Sequence, residues 1–114
     1  AVPRVVFTDP EVASVGLTEA ELRLKKVKYR TSQADISIIG RANTSNKRKG
    51  FVKVIVDENS KLVGATIVAP RAGEMIHELT LAINLRLKPE DIESTIHAFP
   101  TWSEAIRIAC AKLS

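Results

Sequence analysis

Several residue types are scarce in this chain, and each shortage excludes something. A single cysteine, Cys110, among 114 residues rules out an internal disulfide. It fits a reducing compartment, with the cytoplasm as the expected setting. Aromatic residues make up only 4% of the sequence, so stacking platforms for single-stranded nucleic acid are few. The five glycines form neither G-x-G-x-x-G nor a P-loop pattern, which removes the usual phosphate cradles and a Rossmann unit. No apolar run approaches the ~20 residues that span a bilayer. The opening A-V-P-R-V-V-F-T-D-P lacks a basic segment followed by a long apolar stretch, so it does not read as a signal peptide. The two histidines, His77 and His97, fall short of the three or four protein ligands that a zinc site needs. No metal site is expected.

What is present describes an ordinary globular domain. The chain is 45% hydrophobic and 26% charged, with a net charge of +4. Its length suits one domain with a single core, covering residues 1–114. Val2–Phe7 is a short β-branched run ended by Thr8-Asp9-Pro10, and Ala13–Leu17 resumes an extended course. Thr18 with Glu21 forms a capping box that opens a helix, with Leu22 and Val27 on its buried side. Its charged residues Glu19, Arg23, Lys25 and Lys26 read as solvated surface.

Tyr29–Ile39 reads as a strand, with Ile36 and Ile38 on one face. The polar interval Gly40–Gly50 holds Arg41 and Lys47-Arg48-Lys49. The simplest reading of these charges is a solvated loop that discourages edge pairing. Contact with phosphate or RNA is the alternative, which would make the chain a free-standing basic binding module. Phe51–Val56 alternates, with Val52, Val54 and Val56 on one side, and Leu62–Ala69 returns after a turn, giving a β-hairpin. After Pro70–Gly73 a long helix runs to about Leu87, and Pro89 begins a shorter one. Strands first and helices last predict an α+β domain, an antiparallel sheet with helices packed against it.

The long helix is apolar on two sides. Met75, Ile76, Leu79, Ala82 and Ile83 form one stripe, while Leu81 and Leu85 lie off it. Such a helix is either central to a core or shared with a partner. Met75, Ile76, His77, Leu79 and Ile83 are therefore candidate dimer-interface residues, in a symmetric contact between copies. His77, flanked by Glu74 and Glu78, suits a hydrogen bond on the helix face. Cys110 reads as a small core residue.

The chain ends with T-I-H-A-F-P-T-W-S-E-A-I-R-I, Thr95–Ile108, a loop running into an amphipathic helix. Thr101 and Glu104 have the spacing of a second capping box, and Trp102, Ile106, Ala109 and Leu113 recur at helical spacing toward a core. The Phe99–Pro100 bond is a candidate cis peptide.

This segment resembles the C-terminal signature of the flavin-dependent pyridine nucleotide–disulfide oxidoreductases, close to H-x-H-P-T-x-x-E. His97 matches its outer histidine, Pro100 and Thr101 its turn, and Glu104 its orienting carboxylate. Phe99 stands where the catalytic histidine belongs. The likeness extends along the chain: Phe7–Ala13 with Val15–Glu19 resembles the family's opening, Gly50–Lys53 and Leu62–Ala65 its central hairpin, and Ala72–Glu78 its A-G-E-x-I-x-E helix.

The resemblance implies a C-terminal dimerisation domain, with FAD and NAD(P) domains and a redox-active cysteine pair upstream in the same polypeptide. It implies a homodimer in which the loop His97, Phe99, Pro100, Thr101, Glu104 enters the partner subunit's active site. Phe99 and Pro100 would then lie against the partner's FAD. FAD and NAD(P)H belong to the parent; the chain alone is expected to bind neither and to have no activity. Phenylalanine has no titratable group, so the proton-shuttling role is vacant at Phe99. Mercuric reductases resemble this arrangement in placing a tyrosine there, which favours that branch, although their paired C-terminal cysteines are missing.

Overall fold

The computed structural model describes residues 1–38 and 49–114. Five strands form one antiparallel sheet: β1 (Arg4–Val6), β2 (Glu11–Gly16), β3 (Tyr29–Asp35), β4 (Phe51–Asp57) and β5 (Leu62–Ala69), in the order β1-β2-β5-β4-β3. Three helices follow the hairpin, α2 (Ala72–Asn84), α3 (Pro89–Glu93) and α4 (Glu104–Ala111), and α1 (Glu19–Leu24) lies between β2 and β3. This is the expected α+β arrangement.

The alternation in β4 sets the register of the whole sheet. Val52, Val54 and Val56 are fully buried, and their neighbours continue two rows across it. One row runs Ala13, Ile67, Val52, Ala34; the next runs Val15, Ala65, Val54, Ser32. Slipping any of these four strands by one residue would turn its members of the rows to the opposite face. α2 packs on β2 and β5, and α4 on β3 and β4, closing one core around Ile67, Ile76, Leu79 and Ile106. Ser32 is the one polar member of the rows, and its hydroxyl donates to the Ala109 carbonyl at 2.6 Å, tying α4 to β3.

The second face of the sheet carries α1. Glu19 accepts from Lys53, on the opposite side of β4 from the valines, and from the Tyr29 hydroxyl at 3.1 Å. Glu19 is therefore half-buried and paired, not solvated surface as the charge pattern suggested. The Thr18–Glu21 capping box forms as expected. Two glycines set the junction of β2 and β5. Gly16 has φ +75°, and a Cβ on Gly64 would sit 2.0 Å from the Leu17 carbonyl oxygen.

Several boundaries differ from the sequence reading. Val2 and Phe7 lie outside β1 and are exposed. β3 stops at Asp35 and passes into a 3-10 turn, Ile36–Ile38; Ile39 to Arg48 lie outside the described residues. α2 ends three residues early because its C-terminus closes at Arg86, in the left-handed region with φ 54°. There Leu87 N–H donates to Ala82 and Arg86 N–H to Ile83, satisfying carbonyls that the helix would leave open. α1 ends in the same way, with Lys26 at φ 58° and Val27 N–H on the Leu22 carbonyl. That closure brings Val27 beside Leu22.

The second capping box does not form. The Thr101 hydroxyl turns back and donates to the Ala98 carbonyl at 2.7 Å. Glu104, Ala105 and Ile106 then donate to Thr101, Trp102 and Ser103, each three residues back, so α4 is entered through a tight turn. Trp102, Ile106 and Ala109 are nevertheless buried and Leu113 packs against the core, as the spacing predicts.

Candidate functional site

The loop Thr95–Thr101 joins α3 to α4. At its start, Thr95 caps back onto α3: its N–H donates to Ile92 and its hydroxyl to Asp91 at 2.8 Å. The Phe99–Pro100 bond is cis, as is Asp9–Pro10. Two large apolar side chains stand out from the loop, Ile96 at 96% exposure and Phe99 at 75%. Pro100 is exposed beside Phe99, whereas Glu104 is buried at the first turn of α4. The sequence signature thus divides into an outward apolar tip and an inward carboxylate.

His97 points the other way. Its side chain is 7% exposed, with Nε2 2.7 Å from Glu78 Oε2 on α2 and Nδ1 2.8 Å from the Thr95 carbonyl oxygen. The sequence reading placed Glu78 beside His77, but the structure gives Glu78 to His97 and leaves His77 exposed. A signal for this existed. Glu78 lies three residues after Met75 and four before Ala82, inside the arc of the buried stripe, where a carboxylate needs a partner.

The stripe itself faces inward. Met75, Ile76 and Leu79 are at most 4% exposed and pack in this chain's own core, and Ile83 is only partly covered there. The apolar surface that α2 leaves open is Leu81 and Leu85, 59% and 60% exposed.

Cys110 is fully buried on α4. Burial first, and then the nearby Glu78 charge, push its thiol up to about 12. A thiol so held is a protonated core group at neutral pH, not a nucleophile. Among the described residues no three His, Cys, Asp or Glu side chains gather as a metal site. Of the basic group, Lys49 is exposed, while Arg41, Lys47 and Arg48 lie outside the described residues.

A five-stranded antiparallel sheet with helices on it, an apolar loop projecting before the last helix and exposed leucines on α2 have the character of an association domain. Residues 2–110 match the family described as pyridine nucleotide-disulphide oxidoreductase, dimerisation domain. The chain belongs to that family. It is 46% identical over 112 residues to dihydrolipoyl dehydrogenase 2 of Haloarcula marismortui, covering 97% of this chain and 24% of that protein. It is 47% identical over 109 residues to the mitochondrial dihydrolipoyl dehydrogenase 1 of Arabidopsis thaliana, covering 95% and 22%.

Among solved structures, LpdA from Mycobacterium tuberculosis superposes with a TM-score of 0.92 at 31% identity, covering 99% of this chain and 25% of that one. The HOCl-induced flavoprotein disulfide reductase RclA from Escherichia coli gives 0.91 at 26% identity, covering 96% and 26%. The chain thus spans about a quarter of the length of the proteins it matches. The leaning toward the mercuric-reductase branch gains no support from these dihydrolipoyl dehydrogenases. The nucleic-acid alternative is likewise unsupported. Among the described residues no helix is long and apolar enough to cross a membrane.

Proposed function

We propose that this chain is the C-terminal dimerisation domain of a longer FAD- and NAD(P)H-dependent oxidoreductase. In this reading it joins two copies and carries the Ile96–Pro100 loop to the partner subunit's redox centre. The observation behind it is the outward pair Ile96 and Phe99 on a loop tied to α3 by Thr95 and to α2 by His97, and turned on itself by the Thr101–Ala98 bond. A loop that spends two large apolar side chains on water is shaped for a partner.

Phe99 and Pro100 fit one side of a flavin in a limited sense. They offer a flat apolar surface and no hydrogen-bonding group, and the chain holds no glycine-rich phosphate loop. When bound by the parent, FAD would supply the electron transfer; the residues here would pack against the ring and exclude water. No proton can come from Phe99, so the parent's reaction at this site proceeds without the acid that the family signature carries.

The surface joining the copies includes His77, Leu81 and Leu85 on the open side of α2, with Ile83 at its edge; Met75, Ile76 and Leu79 support it from below. One domain, residues 1–114, performs this role, in the reducing environment of the cytoplasm. The test uses the full-length protein. Sedimentation should show a dimer with a flavin absorbance spectrum that NAD(P)H bleaches, and the double substitution Leu81→Glu, Leu85→Glu should shift it toward monomer. A flavin-free protein, or a wild-type protein that stays monomeric at micromolar concentration, would overturn this reading.

A further inference from the structure

The His97–Glu78 pair contains a proton inventory that the positions alone dictate. A carbonyl oxygen only accepts, so Nδ1, 2.8 Å from the Thr95 oxygen, carries a hydrogen. An ionised carboxylate also only accepts, so Nε2, 2.7 Å from Glu78 Oε2, carries one as well. A neutral imidazole has a single N–H. The two contacts together therefore need one proton more than a neutral ring and a carboxylate possess. It resides either on the ring, as imidazolium against carboxylate, or on Glu78, as an acid donating to Nε2.

We propose that His97 and Glu78 form a latch closed by this shared proton, which fixes the Thr95–Pro100 loop to α2 and so sets where Phe99 is presented. His97 is a positioning residue here, acting through the loop it anchors. When the proton leaves, an Nε2 lone pair faces a carboxylate oxygen, and the attraction turns to repulsion. The loop then keeps its tie to α3 at Thr95 and its internal turn at Thr101.

The loop offers the pair the Thr95 carbonyl, and α4 offers Cys110, which lies within reach of the Glu78 charge and stays a neutral thiol. Neither supplies a charge to replace the lost proton. A charge-assisted bond of this type holds a two-state loop closed on the order of tenfold or more. The latch rests on the dimerisation-domain reading only for what Phe99 faces.

Full-length protein labelled with [15N]histidine and 4-fluorophenylalanine tests it, with His97→Asn and a Phe99→Leu variant assigning the signals. Across pH 5 to 10 the ring nitrogens of His97 and the fluorine of Phe99 should report one shared single-proton transition. Glu78→Gln should abolish the fluorine transition, because a side-chain amide donates to the neutral ring and holds the loop at every pH. His97→Asn should abolish it too. A ring with only one protonated nitrogen throughout, or a Phe99 signal indifferent to the ring's titration, would overturn the latch even in a protein shown to be dimeric. A shared transition in a monomeric protein would sustain the latch and overturn the dimerisation reading instead.

Discussion

Replacing Cys110 should change how stability depends on pH in a way its size can be worked out. The side chain is fully buried. Burial, with a smaller contribution from Glu78, raises the thiol from 9.0 to about 12. In the unfolded chain it returns to 9.0, so between these two values the unfolded state has released a proton that the folded state keeps. The folded state then binds more protons, and stability falls as pH rises. Below pH 9 both states hold the proton and nothing is lost. Above it the loss approaches ~1.4 kcal/mol per pH unit, reaching about 4 kcal/mol as pH approaches the folded value.

At pH 10 the loss is about 1.4 kcal/mol relative to pH 7. Cys110→Ala removes the titrating group at the expense of a small cavity, whose cost does not depend on pH. Every other group is common to the two proteins and cancels in the comparison. Urea unfolding followed by Trp102 fluorescence, at pH 7 and pH 10, should therefore show the gap between wild type and variant closing by about 1.4 kcal/mol. A gap that stays constant would refute the reasoning. So would a Cys110 that reacts with a thiol reagent at pH 8 as fast as free cysteine.

Three further outcomes follow from packing and backbone geometry. Ile76→Ala, at a fully buried site between α2 and the sheet, should lower unfolding free energy by about 2–5 kcal/mol in urea, with the fold retained. Gly64→Ala should prevent folding, because its Cβ would lie 2.0 Å from the Leu17 carbonyl oxygen, a backbone atom that β2 cannot move; a native circular dichroism spectrum would refute this. Lys26→Gly should raise stability by about 0.5–1 kcal/mol, since glycine adopts the φ of 58° without a Cβ clash; an unchanged or lower midpoint would count against the left-handed closure of α1.

The sheet was the legible part of this fold. Val52, Val54 and Val56 repeat every second residue between turn signals, and that period is a direct consequence of strand geometry. The Thr18–Glu21 cap was legible for a similar reason: both partners lie within one turn, and nothing distant competes for them. The helix ends were not, because Lys26 and Arg86 take left-handed conformations that sequence convention assigns to glycine or asparagine. Nor was the start of α4. Thr101 has a capping hydroxyl, but the turn at Phe99–Pro100 brings the Ala98 carbonyl within its reach first. The site was half legible. The family signature marked the loop ahead of α4 as the stretch to examine, whereas the Glu78–His97 contact joins residues 19 apart on different elements and arises from the packing of α2 against the loop.

That contact bears on how the association surface proposed above could hold two copies together. In a symmetric contact Ile96, Phe99, Leu81 and Leu85 would each be buried twice, so at about 1.5–3 kcal/mol per side chain they would contribute at most about 12–24 kcal/mol together. Bringing two copies together costs on the order of 4–15 kcal/mol in lost rigid-body freedom, before any ordering of side chains. The lower end of the first range overlaps the upper end of the second, so the apolar side chains do not by themselves guarantee a dimer. Ordering a free seven-residue loop at the same moment would cost roughly 1–2 kcal/mol per residue in backbone entropy and tip the balance against association. A loop already fixed by His97, Thr95 and Thr101 has met that cost during folding. The polar contacts at its base thus do for association what its apolar tip cannot do unaided, and weakening the base should weaken the dimer without touching a single interface side chain.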